Sequence, residues 1–190
     1  MKKYEIFAGV NGAGKSTLYA TRRGSGGENR INPDEILKNL GDWRNASLSA
    51  KAGKEAVFRI RDYFERGCSF NQETTLCGHS ILRNIKKAKK LGYIVVIHYV
   101  GLDSADLAKQ RIAYRVEHGG HGIPDEDVER RYSESIRNLF TIIPFCDLVD
   151  LYDNTHRFRR FAIIRKGKLV RLSKNVPLWF DRNKLEKFSI

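Results

Sequence analysis

The segment Gly9-Val10-Asn11-Gly12-Ala13-Gly14-Lys15-Ser16-Thr17 carries the clearest chemistry in this sequence. It fits the pattern G-x-x-x-x-G-K-[ST], and the pattern has meaning only between a strand and a helix. Residues 4–10 read as a buried strand and residues 15 to about 21 as a helix, so that context is met. Glycines allow backbone N–H groups to curl around an anion, and the helix adds the positive end of its dipole. A lysine bridges terminal phosphates and a serine hydroxyl ligates Mg²⁺. On this reading Asn11, Gly12, Ala13, Gly14, Lys15, Ser16 and Thr17 bind a nucleoside triphosphate, with Ser16 on the magnesium.

The kind of triphosphate enzyme is narrowed by what is missing. No Asp precedes a glycine by three residues, so the GTPase switch is absent, and Asn183-Lys184 is followed by Leu185-Glu186 rather than a guanine-reading motif. The central strand at 93–100 is not followed by Asp-Glu, and there is no transporter signature. A small-molecule kinase needs fewer parts: the phosphate loop, a base for the acceptor hydroxyl, and arginines on a mobile lid.

Each part has a candidate. Asp34 follows a short strand at 30–32 and opens a helix that Asn32 caps and Pro33 starts. In a parallel sheet it emerges at the carboxyl edge, where ligands bind, placed to accept a proton. Its alternative role is to complement the helix N-terminus. Glu73 falls at the end of a strand at 68–72, either on substrate hydroxyls or metal, or as a solvated turn carboxylate. Arg111 and Arg115 lie one turn apart on a helix at 104–117; Arg130 and Arg131 lie on another at 125–140. The loop between them, His118-Gly119-Gly120-His121-Gly122-Ile123-Pro124, suits a lid that closes on a transferring phosphoryl group. The H-x-x-H spacing of His118 and His121 allows a zinc pair, but no third ligand is near and the flanking glycines favour a flexible loop.

These residues need a frame that brings them to one edge. Strands at 4–10, 30–32, 68–72, 93–100 and 148–152 alternate with helices, which predicts an α/β fold with a mostly parallel sheet between helix layers. The helix at 46–66 is expected to bury Ala46, Ala50, Gly53, Val57, Ile60 and Phe64. His98 alternates within its strand as a core or edge residue, and residues 22–27 form a glycine-rich loop. Residues 158–165 and 168–172 flank Lys166-Gly167 as a β-hairpin, followed by an irregular tail with Trp179.

Length and charge set the limits. The 190 residues amount to one domain, with a core at 1–156 and a basic end at 157–190. The net charge of +13 is uneven: eleven basic and two acidic side chains in the basic end give +9, leaving +4 for the core. Three cysteines without C-x-x-C spacing signal neither a disulfide framework nor a zinc site. Glu5 interrupts any signal peptide, and no apolar run approaches the ~18 residues of a membrane helix. The expectation is a cytoplasmic protein without membrane association.

The assembled motifs resemble the zeta toxin family of P-loop kinases, in its compact form. The resemblance rests on residues 8–17, Ile31-Asn32-Pro33-Asp34-Glu35, Glu73-Thr74-Thr75-Leu76, Arg115-Val116 with residues 119–124, Arg130-Arg131-Tyr132 and Tyr152-Asp153-Asn154. It implies a three-layer P-loop, nucleotide-kinase-like fold that uses ATP and Mg²⁺ to phosphorylate a nucleotide sugar such as UDP-N-acetylglucosamine, or a related nucleotide. It further implies a small acidic antitoxin as partner. Lys15, Asp34, Arg115 and Arg131 would then be catalytic, and Glu73, Thr74, Asp34 and Arg130 would bind substrate. Where compact relatives carry Arg-Ser after Arg-Arg-Tyr, this chain has Glu134-Ser135. The competing reading is an ATP-gated nucleic-acid-binding protein or a polynucleotide kinase, using the basic end with Phe158, Phe161, Trp179 and Phe180.

Overall fold

A computed structural model describes residues 1–22 and 29–180. Most of the glycine-rich segment at 22–27 and the last part of the tail lie outside the described residues. In chain order the elements are β1 (Lys3–Gly9), α1 (Lys15–Arg22), β2 (Arg30–Ile31), α2 (Pro33–Leu40), α3 (Ala46–Glu65), β3 (Phe70–Thr74) and α4 (Ser80–Lys90). There follow β4 (Ile94–Gly101), α5 (Ala105–Glu117), α6 (Asp125–Ile142), β5 (Leu148–Asp153), β6 (Arg159–Arg165) and β7 (Lys168–Leu172).

The strands form one sheet in the order β2-β3-β1-β4-β5-β6-β7. The first five are parallel; β6 and β7 extend the sheet antiparallel. β1 is paired on both sides and buried on both faces, which is why it is mostly apolar, with Glu5 the one buried charged side chain in it, facing His98. Tyr4, Ile6 and Ala8 face one core with β4 residues Val95, Ile97 and Tyr99; Phe7 joins Val10, Leu18, Val100, Ala108 and Ile112 in a core on the other face. The chain leaves β1 toward β2 and β3 on one side and β4 and β5 on the other. A crevice therefore opens at the carboxyl end of β1, where the phosphate motif begins.

Two local expectations shift. In α3 the buried residues are Ala52, Ala56, Ile60 and Phe64, whereas Val57 is 64 % exposed. The small alanines let α2 pack closely with Ile36 and Leu37 in the same core, so contact with α2 rather than the most apolar stripe sets the helix rotation. β3 begins two residues late because Gly67, at φ +65°, and Cys68, whose N–H donates to Tyr63 O, close α3. Glu73 thereby lies within the strand, opposite Phe7 of β1.

Below the sheet His98 is buried between Glu5 and Asp150, Nε2 3.0 Å from Glu5 Oε1 and Nδ1 3.2 Å from Asp150 Oδ2. Arg160 reaches the second Asp150 oxygen at 3.1 Å. Burial raises the Asp150 carboxyl, but His98, Arg160 and Arg22 outweigh it and hold it below its ordinary value.

The hairpin forms as expected. Lys166 and Gly167 both have positive φ (48° and 76°), the requirement of a two-residue turn matched to strand twist. Three of the four aromatic residues named for nucleic-acid contact are core residues: Phe161, Trp179 and Phe180 are buried against one another and against Phe140 and Tyr99. Phe158 is the exposed one of the four, stacked on Tyr152. Phe161 points inward by strand alternation. Trp179 lies so close to Gly101 that a Cβ there would be 2.3 Å from the indole.

Candidate functional site

The phosphate motif forms the loop between β1 and α1. Gly9, at φ +142°, lies against β4, where a Cβ would meet Val100 O at 2.1 Å; Gly14, at φ +94°, leaves room for the Asn154 amide. Asn154 Nδ2 donates to Ala13 O at 2.9 Å, bracing the loop from the end of β5. Lys15 is buried, its Nζ donating to Val10 O at 3.1 Å. Burial pushes its ammonium group below the ordinary lysine range, with Glu73 and Asp34 pulling the other way. Asn11 Oδ1 is buried without a partner.

Glu73 is no solvated turn carboxylate. It is 6 % exposed and accepts from Ser16 Oγ at 2.9 and 3.1 Å, from Arg30 at 3.0 Å and from Asn32 Nδ2 at 3.1 Å. It therefore aims the serine hydroxyl. Asn32 also caps α2, its Oδ1 accepting from the Asp34 N–H at 3.0 Å, which places Asp34 in the first turn facing Lys15. His121 Nε2 lies 3.0 Å from Asp34 Oδ2, a close contact with imperfect alignment. Burial acts to raise the Asp34 carboxyl. The His121 contact and the charges of His121, Lys15 and Arg115 outweigh it and hold it below its ordinary value.

These groups share a cavity of about 550 Å³, lined by the phosphate loop together with Asp34, Trp43, Glu73, Arg115 and His121. A cleft of about 160 Å³ beside it is bounded by Lys15, Asp34, Glu73, Thr74 and Arg131. Thr74 Oγ1 also accepts from the Leu76 N–H. Of the four arginines, Arg111 and Arg115 line the larger cavity and Arg131 the cleft. Arg130 is 58 % exposed at its side chain and engaged by Asp127 and Glu134, so the structure does not bring it to either space. Glu134 takes the Gly78 N–H at 2.7 Å, supporting the loop after β3, and Ser135 is buried on Tyr99 Oη of β4.

His118 and His121 turn apart: the His118 ring sits against Tyr114 O at 2.8 Å, while His121 enters the site. Among the described residues no group of three His, Cys, Asp or Glu could hold a metal ion. Magnesium fits differently, through the Ser16 hydroxyl that Glu73 orients, because Mg²⁺ is completed by waters and substrate phosphates rather than by a protein cage. The tight glycine loop and the buried Lys15 fit a triphosphate. Sequence reasoning assigned no site role to Asn32, Asn154 or His121, although Asn32 stood there as a helix cap and all three lay within the motifs that carry the resemblance.

No protein-family model matches the chain. An uncharacterised protein of Haemophilus influenzae is 31 % identical over 127 residues, 67 % of this chain and 90 % of that protein. Among solved structures, the AvrRxo1-ORF1:AvrRxo1-ORF2 complex with sulphate ions matches with a TM-score of 0.66 at 16 % identity, over 90 % of this chain and 61 % of the other. The same complex with ATP matches with 0.66 at 17 % identity, over 90 % and 60 %. A structure of the PezAT toxin-antitoxin system of Streptococcus pneumoniae matches with 0.62 at 14 % identity, over 83 % and 69 %. The chain spans about three fifths of the AvrRxo1 chain. Among the described residues no helix is long and apolar enough to cross a membrane. The mostly parallel sheet, the loop after β1 and these likenesses agree: the chain shares its fold with the AvrRxo1 and PezAT structures, and it belongs to one family with the Haemophilus influenzae protein.

Proposed function

We propose that this protein is an ATP-dependent phosphotransferase that moves the γ-phosphoryl group to a hydroxyl of a nucleotide sugar or related nucleotide. The observation that carries the reading is the meeting of Asp34 with Lys15 and Ser16 across one cavity. The phosphate loop binds ATP, and Mg²⁺ supplies charge neutralisation on its phosphates. Ser16, aimed by Glu73, would hold the ion. Asp34 takes the proton of the acceptor hydroxyl as its oxygen bonds to the γ-phosphorus and the bond to the β–γ bridging oxygen breaks. Lys15 and Arg115 balance the charge spread over the transferring group, and Arg131 flanks it from the cleft. The hairpin continues the same sheet, so the chain acts as one unit.

Incubation with labelled ATP and a panel of UDP-sugars, NAD and nucleosides is expected to label one acceptor class. Label in none of them, together with ATP turnover indifferent to Asp34, would sink the kinase reading.

The partner we propose is a small acidic protein, an antitoxin. Two of the structural neighbours are described as complexes of paired proteins or a toxin-antitoxin system, and the hairpin of this chain is strongly basic. Native purification is expected to yield a small acidic polypeptide bound to it and released by high salt. A chain that purifies alone from its own host at low salt argues against such a partner.

A further inference from the structure

The glycines between α5 and α6 suggested flexibility in the sequence, yet two of them mark close packing. A Cβ on Gly120 would lie 2.4 Å from Arg115 Cγ, and one on Gly122 would lie 2.6 Å from the Trp43 ring. His121, held between them, faces two ways. Its ring reaches Asp34 Oδ2 at 3.0 Å, and its backbone carbonyl accepts from Arg115 Nε at 2.9 Å. The Gly120 N–H closes the turn on Arg115 O at 2.8 Å. Arg115 thus commits Nε to the loop and keeps Nη2 buried and unpartnered, available to an anionic oxygen.

We propose that His121 is a positioning residue that ties the proton-accepting carboxylate of Asp34 to the phosphate-facing guanidinium of Arg115, so that both are set when this loop is seated. The roles of Asp34 and Arg115 rest on the kinase reading above; the tether does not. By engaging Oδ2, His121 leaves Oδ1 for the acceptor hydroxyl. The Asp34 side chain is 43 % exposed, and a carboxylate that open needs a fixed partner to stay in one rotamer. Misplacing a reacting group by about 1 Å costs on the order of 10²-fold in rate.

The charged groups facing Asp34 come from three elements: Lys15 of α1, Arg115 of α5 and His121 of the loop. Burial raises its carboxyl, and His121 leads the groups that lower it. Loss of His121 therefore moves Asp34 titration upward.

The test compares His121→Ala with His121→Gln in the full chain. Glutamine places an amide donor near the position of Nε2 but does not titrate. In the nucleotide-free protein, ¹³C titration of the Asp34 carboxyl is expected to shift upward in the Ala variant and to return part of the way in the Gln variant. In phosphoryl transfer, kcat is expected to fall roughly 10- to 100-fold in the Ala variant, with the KM for ATP within about twofold of wild type, and to recover most of the loss in the Gln variant. An Asp34 titration unmoved by either substitution, or a Gln variant no faster than Ala while both bind ATP normally, overturns the proposal. If wild type transfers no phosphate, the kinase reading fails and the carboxyl titration still decides the tether.

Discussion

Asp34→Asn is expected to lower phosphoryl transfer about 10³-fold while ATP binding stays near the wild-type level. A positioned general base contributes roughly 10²- to 10⁴-fold, and an amide cannot take the proton. The substitution keeps volume and spares the helix start, because the contact with Asn32 Oδ1 is made by the Asp34 backbone N–H. Calorimetric titration with ATP and initial rates with the labelled acceptor separate the two quantities. An Asn variant that retains transfer within about tenfold of wild type would remove Asp34 from the chemistry. The pH dependence follows the same group. Its folded-state carboxyl sits below the ordinary 3.8, so the base is ionised, and transfer supported, above that value. Transfer is lost as pH falls through the folded value.

The second large effect is on stability. Trp179→Ala is expected to cost about 3–5 kcal/mol, the range for removing a large aromatic from a core. Trp179 packs on Tyr99, Phe161, Phe180 and the bare face of Gly101, and its Nε1 donates to Asp153 Oδ1 at 3.2 Å. Deleting it opens a cavity and removes a partner from a buried carboxylate. Urea unfolding of the two proteins measures the difference. A midpoint shift worth less than about 1 kcal/mol would mean the tail is loosely held rather than part of the core. Neighbouring basic side chains share this structural work: Arg159 lies 3.4 Å from Asp153 and Arg160 holds Asp150. Part of the terminal charge is thus spent on pairing within the fold.

The phosphate loop, Asp34 and the central strands were legible because their causes are local. A glycine pattern fixes the loop, an Asn-Pro pair fixes the start of α2, and burial on both faces makes β1 and β4 mostly apolar, apart from the paired Glu5 and His98. What escaped depends on distant neighbours. Arg130 and Arg131 are adjacent in sequence but about 100° apart around a helix; both reach Asp127, Arg130 also reaches Glu134, and Arg131 alone lines the cleft. Gly120 and Gly122 look like hinge residues until Arg115 and Trp43 are seen to fill the space beside them. Glu73 moved from a turn into a strand because the closing of α3 delays β3 by two residues. The aromatics of the tail read as a surface because nothing near them in sequence reveals that β4 presents Gly101 to receive an indole.

One edge of the sheet still faces outward. Among the described residues β7 is the last strand, with no strand beyond it, and Val170 and Leu172 on it are 58 % and 37 % exposed. An open edge with apolar side chains is a template on which another chain can add. Lys166, Lys168 and Arg171 stand along that same edge. A second molecule aligning its own β7 there would bring like charges together at strand spacing, where they repel. On this strand the positive charge that suggested attraction to a polyanion therefore opposes edge-to-edge pairing of two β7 strands.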